Sequence, residues 1–342
     1  MEKSQRVLAR IVRIDEVRGI PGADAIDAYR VGGWWVVDKK AAYVPEDLAI
    51  FAEIDSWIPH ELAPFLSRGQ EPREYNGVRG ERLRTMKLRG VTSQGLLLPL
   101  KHLTNYGADL VVGSDVTDAL GIVKYDQPIP AQLAGEVRGM FPSFIPKTDQ
   151  ERVQNLVSDV SMWTEKGLTF EATEKLDGSS MTVYSTTDDE GVCSRNLNLK
   201  PSDSNSLWKV ATRDQLLHKI AGLNIALQGE LIGEGIQGNI YQLRGQHFYV
   251  FDIYDIAAGR YYTPSERRLF CKTTQIQHVP VLTGCGDKDL GTGSVEEILT
   301  WAEGKSVLCD TTEREGLVFK CNECPDTSFK AISNTFLLKS GN

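Results

Sequence analysis

The chain has 342 residues, of which 41% are hydrophobic and 25% are charged, a composition typical of a globular protein with two domains. No run approaches the roughly 20 apolar residues that cross a bilayer, and the N-terminus lacks the apolar segment of a secretory signal. We therefore expect a cytoplasmic or other intracellular protein, neither secreted nor membrane-bound. The net charge of −8 excludes a broadly basic surface, but it leaves room for a local basic patch that binds nucleic acid.

The first third of the chain is predicted to be β-rich. Apolar residues alternate with polar ones, or β-branched and aromatic residues cluster, in runs bounded by glycine and proline. The predicted strands are 6–14, 25–31, 34–38, 48–54 and 95–100, the second and third forming a hairpin around Gly32 and Gly33. About five short strands are typical of an OB-type β-barrel, which we assign to residues 1–125. The stretch Met86–Gly95 also resembles OB modules that bind RNA.

A basic stretch lies within this predicted barrel. Tyr75 sits in its middle, where a base could stack on the ring. We expect the stretch to contact phosphates, the alternative being a solvated loop whose arginines pair with neighbouring glutamates. The cations are Arg68, Arg73, Arg79, Arg82, Arg84, Lys87 and Arg89, against Glu71, Glu74 and Glu81.

A connector and then a helix are predicted next. Four prolines and two glycines interrupt any regular structure in residues 126–146, which we interpret as the connector. Thr148 or Asp149 is then predicted to cap a helix, and the second domain is assigned to residues 147–342. All six cysteines lie in the second half of the chain and are too sparse for a disulfide framework, so reduced thiols are expected. Cys321 and Cys324 have the spacing of half a zinc site, but no second half follows.

The second domain is organised around Lys175. Two predicted strands, 168–173 and 181–186, flank the stretch Glu174–Ser179 and make a β-turn-β unit with the lysine at its turn. Gly178 removes a side chain where another group approaches the backbone closely. A lysine at such a turn is an exposed cation or a nucleophile. We interpret Lys175 as a nucleophile that becomes covalently nucleotidylated.

An ordered series of motifs follows this lysine. The series resembles the covalent nucleotidyltransferases, which include DNA ligases, RNA ligases and mRNA capping enzymes. The resemblance covers nearly all of the second domain and implies an α+β fold: an ATP-grasp-like ligase domain of antiparallel sheets with flanking helices. The matching stretches are Lys175–Gly178, Ser194–Asn196, Gly229–Gly233, Tyr249–Tyr254, Glu315–Lys320 and Phe329–Asn334.

Two further stretches indicate the branch of this superfamily. Lys147–Arg152 and Gly233–Tyr241 resemble ATP-dependent RNA ligases, specifically the branch with an N-terminal OB module. Capping enzymes and replicative DNA ligases carry an OB domain after the last motif, whereas only residues 331–342 follow Lys330 here. Many relatives have Lys-x-Lys in that motif. Here the flanking positions are Ser328 and Ile332, so a second phosphate contact is expected elsewhere, with Lys320 the candidate.

The resemblance implies a role for each site residue. Lys175 would attack the α-phosphorus of ATP as a neutral amine, its pKa lowered from about 10.4 by burial and a divalent cation. Asp177, Glu230 and Glu315 would bind Mg²⁺ or Mn²⁺, or its waters. Phe251 would stack on adenine, and Arg195 would hold a phosphate or the RNA 3′ end. Lys320 and Lys330 would neutralise the α-phosphate, Lys147 and Arg152 would contact the β- and γ-phosphates, and Glu174, Gly178 and Glu315 would complete the nucleotide site.

The implied function is the sealing of 3′-hydroxyl and 5′-phosphate ends in three nucleotidyl-transfer steps. The implied role is nick or break repair, with RNA on the 3′-hydroxyl side. The expected substrate is RNA or an RNA/DNA hybrid, and the expected state is a monomer. A DNA ligase or capping guanylyltransferase is one alternative, and a non-catalytic RNA-binding protein with a degenerate transferase domain is another. The presence of Lys175, Asp177, Glu230 and Glu315 favours the enzyme.

Overall fold

The computed structural model describes residues 6–103, 111–126, 136–282, 290–291 and 293–340. It divides into two compact units, Met1–Gln127 with Leu337–Asn342, and Pro128–Phe336. No helix in the described ranges is long and apolar enough to cross a membrane. The described cysteines are all free thiols, as predicted, while Cys285 lies outside the described residues.

The first unit is built from short strands and turns. Its strands are β1 (Ala9–Arg13), β2 (Glu16–Gly19), β3 (Ile26–Val31), β4 (Trp34–Lys39), β5 (Leu48–Ala52), β6 (Ser56–Pro59), β7 (Arg73–Tyr75), β8 (Val78–Arg82), β9 (Met86–Leu88), β10 (Val91–Ser93), β11 (Leu96–Leu98) and β12 (Val123–Lys124). The 3₁₀ turns are Pro64–Ser67, Leu100–Leu103 and Asp118–Leu120.

These strands pair antiparallel in four small sheets, ordered β1-β5-β11, β2-β3-β4, β12-β6-β8-β7 and β10-β9. The predicted hairpin is confirmed, with Val31 opposite Trp34. Alternation along β1 buries Ala9 and Ile11, which pack with Ile50 of β5 in the core of the unit. The first unit therefore has the β-rich, OB-type architecture that the sequence predicted.

Three arginines of the basic stretch form ion pairs within the unit. Arg73 lies 2.9 Å from Glu81, and Arg79 lies 2.5 Å from Glu71. Arg82 pairs with Asp55 at 2.6 Å. Arg73 and Arg79 therefore follow the alternative prediction for this stretch, in which arginines pair with neighbouring glutamates.

Tyr75 is packed against other aromatic rings of the unit. Its ring centroid lies 5.3 Å from that of Trp57 and 4.9 Å from that of Tyr125. Its hydroxyl accepts a hydrogen bond of 3.0 Å from the backbone nitrogen of Asp126. The ring of Tyr75 is half-buried beside these two neighbours, and the stacking of a base on it stays a prediction.

The second unit contains two sheets and most of the helices. Its strands are β13 (Val137–Met140), β14 (Glu151–Arg152), β15 (Phe170–Lys175), β16 (Ser179–Ser185), β17 (Glu190–Cys193), β18 (Leu197–Leu199), β19 (Ile225–Gly233), β20 (Gln246–Asp255), β21 (Arg260–Tyr261), β22 (Gly316–Cys321) and β23 (Ser328–Ile332). Its helices are α1 (Val157–Glu165), α2 (Ser206–Arg213), α3 (Leu216–Ile220), α4 (Pro264–Thr274) and α5 (Val295–Ala302), while the residues of α6 (Asn334–Ser340) are divided between the two units.

A seven-stranded sheet is ordered β13-β18-β17-β16-β19-β20-β21, and a four-stranded sheet is ordered β14-β23-β22-β15. Helices α2, α3 and α4 pack on the larger sheet, where Val210 and Ile220 contact the core around Leu227. Helices α1 and α5 pack on the smaller sheet, where Val160 and Ile298 join its core. Antiparallel sheets with flanking helices confirm the predicted α+β fold.

The helix predicted near Thr148 begins later. Glu151–Arg152 forms β14, which pairs parallel with β23, and Val153–Asn155 is a 3₁₀ turn before α1 begins at Val157. The prediction was wrong because pairing with the edge of a sheet outweighs the local capping preference. Residues 137–140, assigned to the connector, likewise form the edge strand β13, while residues 127–135 of the connector lie outside the described part of the chain.

The predicted β-turn-β unit spans two sheets. Strand β15 pairs with β22 in the smaller sheet, whereas β16 pairs with β17 and β19 in the larger one. The intervening turn, residues 176–178, therefore passes from one sheet to the other. This crossing places Lys175 where the two sheets meet.

Candidate active site

Lys175 is the last residue of β15 and faces away from the core of its sheet. Phe170 and Ala172 of the same strand pack in that core, and alternation turns Lys175 to the opposite face. Its Nζ lies 2.7 Å from Oε2 of Glu315. Gly316 is its partner across the ladder, and a Cβ there would come within 2.2 Å of the carbonyl oxygen of Ala331. Position 316, where β22 begins directly after Glu315, therefore requires a glycine.

The turn after Lys175 is pressed against β19 and held by a tyrosine. A Cβ on Gly178 would lie 2.4 Å from the carbonyl oxygen of Leu231, so the close approach predicted for this glycine is observed. The backbone nitrogen of Asp177 donates a 2.7 Å hydrogen bond to the hydroxyl of Tyr241, which is buried. Sequence reasoning gave Tyr241 no role, although it ends the glycine-rich stretch that indicated the branch.

Three carboxylates surround the amine closely enough to alter one another's ionisation. Burial raises the pKa of Asp177 to about 7, and the charge of Glu315 adds to the effect. Burial also raises the pKa of Glu230 to about 8, where Lys175 opposes the shift and Glu315 and Asp177 increase it. This is a concentration of half-buried negative charge that a cation would stabilise.

The three carboxylates have the ligand chemistry that a divalent cation requires, but their positions do not form a complete metal site. Within the described ranges, no group of three or more His, Cys, Asp or Glu side chains is arranged to hold a metal ion. Asp177, Glu230 and Glu315 nonetheless supply hard oxygen donors around one amine. Such donors suit Mg²⁺ or Mn²⁺ bound by one or two carboxylates, with water in the remaining positions.

The protein groups alone favour the charged form of Lys175. Burial lowers its pKa, but the carboxylates of Glu315, Glu230 and Asp177 outweigh that effect, so that the pKa of Lys175 is raised. Burial therefore acts in the direction that the sequence predicted, but the three carboxylates outweigh it. Burial alone does not make the amine neutral. The positive charge of a bound cation is therefore needed to lower the pKa of Lys175.

Glu174 faces the opposite side of β15 and carries an unsatisfied oxygen. Its Oε2 accepts a 2.8 Å hydrogen bond from the backbone nitrogen of Val307. Its Oε1 is buried and has no hydrogen-bond partner among the described residues. Burial raises the pKa of this carboxyl group, while the Ser306 hydroxyl and the Val307 amide oppose the rise. A buried acceptor without a partner suits a ligand that brings its own donor.

Phe251 is aimed by a β-bulge. Gln228 pairs with Asp252 and Gly229 pairs with Val250, so Phe251 is the extra residue of β20. Its half-buried ring packs against an apolar cluster that includes Leu176, Ile232, Tyr241, Val279, Leu308 and Cys309. The loop that contributes Leu308 and Cys309 also contributes the amide that binds Glu174, so an apolar wall and a buried acceptor share one loop.

Lys330 and Lys320 lie on the same face of the smaller sheet as Lys175. Val318 pairs with Lys330 on one side and Thr173 on the other, two residues along from the Lys175–Gly316 pair. Alternation with period two puts these side chains on one face. Arg152 of β14 lies beside Lys330.

The ammonium group of Lys320 is bound within the protein. It donates to Asp252 and lies 4.4 Å from the ring centroid of Tyr261. The side chain is only 4% exposed, and burial lowers its pKa. Asp252 also lies 3.5 Å from the guanidinium of Arg267, so Lys320 belongs to a buried ionic cluster.

Arg195 and Lys147 join the loop between β17 and β18 to the segment before β14. Arg195 pairs with Asp149 at 2.7 Å, and Lys147 donates to the side chain of Asn196 at 2.8 Å. Arg195 also lies near enough to Glu230 to oppose the rise in its pKa. Arg195 thus lies at the edge of the carboxylate cluster, and Lys147 is hydrogen-bonded to the residue after it.

The chain and its fold were compared with known proteins. A family model described as RNA ligase matches residues 168–332, and one described as an OB-fold domain matches residues 8–100. A structure of a Naegleria gruberi RNA ligase variant without ligand is 44% identical, with 97% of each chain covered and a TM-score of 0.88. The chain belongs to the RNA ligase family.

Two further structures of Naegleria gruberi RNA ligase variants contain ligands. One holds AMP and manganese, at 44% identity, with 97% of this chain and 98% of that chain covered and a TM-score of 0.89. The other holds ATP and manganese, at 44% identity, with 98% and 100% covered and a TM-score of 0.89. A comparison with curated proteins finds no match.

Within this RNA ligase, the structure brings several of the predicted residues together and holds Lys320 in a separate ion pair. Lys175, Asp177, Glu230 and Glu315 lie together around the turn between the sheets. Glu174 and Phe251 both contact the loop that contains Val307, Leu308 and Cys309. The ammonium of Lys320 is bound to Asp252, so its predicted phosphate contact would require that pair to open.

Proposed function

We propose that this RNA ligase acts through a covalent Lys175–AMP intermediate formed from ATP. The observation that carries the proposal is the position of the Lys175 amine, 2.7 Å from Glu315 and under the electrostatic influence of Asp177 and Glu230. A solitary surface lysine would have no need of three half-buried carboxylates, which cost free energy to place together. They are explained if the amine, a divalent cation and a phosphate meet there.

In the first step, the nitrogen of Lys175 attacks the α-phosphorus of ATP, and the bond to the departing pyrophosphate breaks. The ammonium must first lose a proton, and the carboxylate of Glu315 is placed to orient the amine and to accept it. When bound, a divalent cation supplies positive charge that lowers the pKa of Lys175 and offsets charge on the phosphate. Lys330, on the same face, would stabilise the charge that develops at phosphorus.

The same model assigns the recognition of the nucleotide. Oε1 of Glu174, buried without a partner among the described residues, would accept a hydrogen bond from the amino group of adenine. Phe251 would stack on the base. Arg152 and Lys147 would contact the β- and γ-phosphates, and Arg195 a phosphate or the RNA 3′ end. Gly178 lets the backbone of the turn lie close to β19, and this close approach would set the distance between the turn and the residues of β19.

Two more transfers complete the reaction. An oxygen of a 5′-phosphate attacks the phosphorus of the lysyl-AMP, the nitrogen–phosphorus bond breaks, and Lys175 recovers its amine. A 3′-hydroxyl then attacks the 5′-phosphorus, AMP leaves, and a 3′–5′ phosphodiester forms. The OB-type unit would hold the strand that carries the 3′-hydroxyl. We place the reaction in nick or break repair, on RNA or an RNA/DNA hybrid with RNA on that side, by a monomer.

Nucleotide labelling tests the proposal. The protein is incubated with α-labelled ATP or GTP and Mn²⁺, and then separated by denaturing electrophoresis. Label from ATP is expected to remain on the protein, and Lys175→Ala is expected to abolish it. Label from GTP alone would indicate a capping enzyme. If neither nucleotide labels the protein, the result would contradict the proposal and would support the alternative of a non-catalytic RNA-binding protein.

Nicked duplexes test the preferred substrate. The strands on the 3′-hydroxyl side, the 5′-phosphate side and the template are changed one at a time from RNA to DNA. Sealing is expected to fall most when the 3′-hydroxyl strand becomes DNA. Equal sealing of all combinations would contradict the assignment of RNA to that side.

A further inference from the structure

The turn between β22 and β23 carries two cysteines that the ligase chemistry does not use. Cys321 is the last residue of β22, and Cys324 follows it before β23 begins at Ser328. Cys321 is fully buried, whereas Cys324 is exposed. Their spacing is that of half a zinc site, but no metal-holding group of three or more His, Cys, Asp or Glu side chains occurs in the part of the chain that the structure describes. The pair of thiols therefore needs another explanation.

The turn brings the two cysteines together. The backbone nitrogen of Cys324 lies 3.3 Å from Sγ of Cys321 and donates to it. The turn is closed by two backbone hydrogen bonds of Thr327, which accepts from Cys321 at 3.0 Å and donates to Cys324 at 2.8 Å. Because the sulfur of Cys324 is carried close to its own backbone nitrogen, rotation of this exposed side chain can bring the two sulfurs into contact.

A carboxylate is placed to take a proton from the buried thiol. Sγ of Cys321 donates to Oε2 of Glu323 at 3.3 Å. Glu323 also accepts from the backbone nitrogen of Thr169 at 3.1 Å and from its hydroxyl at 2.7 Å. Burial opposes ionisation of Glu323, but these hydrogen bonds outweigh it and lower the pKa of the carboxyl group. The carboxylate is therefore ionised at neutral pH and can act as a base.

The two thiols differ in how they can react. Burial raises the pKa of the Cys321 thiol to about 11, which disfavours its thiolate. A buried thiol also does not meet a reagent in solution, whereas the exposed Cys324 does. Cys324 is thus suited to attack first, and Cys321, with Glu323 as its base, is suited to attack second.

We propose that Cys321 and Cys324 form a reversible disulfide by exchange with a low-molecular-weight disulfide such as oxidised glutathione. The thiolate of Cys324, its proton lost to water, attacks one sulfur of the reagent. The sulfur–sulfur bond of the reagent breaks, and one thiolate leaves. Cys321 then gives its proton to Glu323 and attacks the sulfur of Cys324, and the second thiolate leaves and takes up that proton. Two protein thiols are oxidised, and the reagent is reduced to two thiols.

The proposed disulfide lies far from the nucleotide site. Cys321 pairs with Phe170 at the start of β15, whereas Lys175 pairs with Gly316 at the other end of the same ladder. The five residues between these pairs span roughly 17 Å at the rise of an antiparallel strand. The proposal therefore does not depend on the chemistry at Lys175. Thiol counting and AMP labelling report on the two proposals separately.

Thiol counting with peptide mapping tests the proposal. The full-length protein is equilibrated with mixtures of reduced and oxidised glutathione and quenched with acid, and the remaining thiols are alkylated. The wild type is expected to lose two thiols per chain and to yield a peptide in which Cys321 is bonded to Cys324, and dithiothreitol should reverse both changes. Cys321→Ser should instead keep glutathione on Cys324. Cys324→Ser should retain a free thiol at Cys321.

Glu323→Gln tests the role of the carboxylate. Its mixed disulfide with glutathione should close at least about fivefold more slowly than that of the wild type, because Cys321 has lost its base. The closing rate of the variant should also rise more steeply with pH. An unchanged rate and pH profile would overturn the assignment of Glu323 as the base.

Cys309→Ser is the matched control, because Cys309 is also a partly exposed thiol hydrogen-bonded within the second unit. It should lose the same two thiols as the wild type, and so should Cys285→Ser. Three results would overturn the proposal: an unchanged thiol count in the wild type, a full two-thiol loss in Cys324→Ser, or a bond from Cys324 to another cysteine. Melting temperatures show which variants are folded, and the exposed Cys324→Ser decides if the buried Cys321→Ser is not.

Discussion

The carboxyl groups of Asp177 and Glu230 titrate near neutral pH, because burial disfavours their charged forms. Their pKa values in the folded chain, about 7 and about 8, lie above those of an unfolded chain. The native state therefore binds more protons. The stability that these groups contribute is complete below about pH 4 and is lost as the pH rises through about 8.

Glu230→Gln tests this linkage. In a chelator, we expect the melting temperature of the wild type to fall between about pH 6 and pH 8.5, and that of the variant to fall less. At the upper pH the variant should be more stable by about 1–3 kcal/mol, after allowance for solvent screening. Added Mn²⁺ should stabilise the wild type more at high pH, since the carboxylates must be ionised to bind it. Parallel curves for both proteins would contradict this assignment.

We expect Tyr241 to influence the reaction through the turn to which it is hydrogen-bonded. Tyr241→Phe leaves the backbone nitrogen of Asp177 without its 2.7 Å partner, at a cost of about 1–3 kcal/mol. We expect a lower melting temperature and slower formation of lysyl-AMP, with the KM for ATP nearly unchanged, because the hydroxyl positions the turn and does not contact the nucleotide. Single-turnover labelling measures the rate. A raised KM with an unchanged rate would instead indicate that Tyr241 binds ATP.

At the scale of elements, the site depends on a turn that leaves one sheet and enters another. Gly178 has room for no side chain, because a Cβ would lie 2.4 Å from the carbonyl of Leu231. Gly178→Ala should therefore displace Lys175 from Glu315, destabilise the chain by about 1–3 kcal/mol and largely abolish labelling. Gly139→Ala is the control, since nothing lies within 4 Å of a Cβ there. Equal labelling of both variants would show that the close approach is unimportant.

The sequence predicted the elements that carry the motifs, but not the sheets they join. The order of the motifs was enough to group Lys175, Asp177, Glu230 and Glu315, because each motif has its own residue pattern. The pairing of β15 and β16 in different sheets follows from long-range contacts that no local pattern contains. The same limitation hid the hydrogen bond from Asp177 to Tyr241, 64 positions apart, and the pairing of Lys320 with Asp252.

At the scale of the whole molecule, the two units are expected to divide the reaction. The proposed nucleotide site lies within residues 128–336, and the unit proposed to hold RNA contains residues 1–127. A variant that lacks residues 1–125 should still form lysyl-AMP, while its sealing of nicked RNA should fall at least about tenfold, in line with the loss of one binding surface. Both steps are measured on the same preparation. Equal loss of both would contradict the division, provided that the truncated protein remains folded.

The central claim is that one amine becomes bonded to AMP through phosphorus. Mass analysis of proteolytic peptides after incubation with ATP and Mn²⁺ tests it most directly, with Lys175→Arg as a control that keeps the charge and removes the nucleophile. The account predicts one AMP on the peptide that contains Lys175, and none on any peptide of the variant. AMP on a different residue, or sealing of RNA by Lys175→Arg, would contradict it.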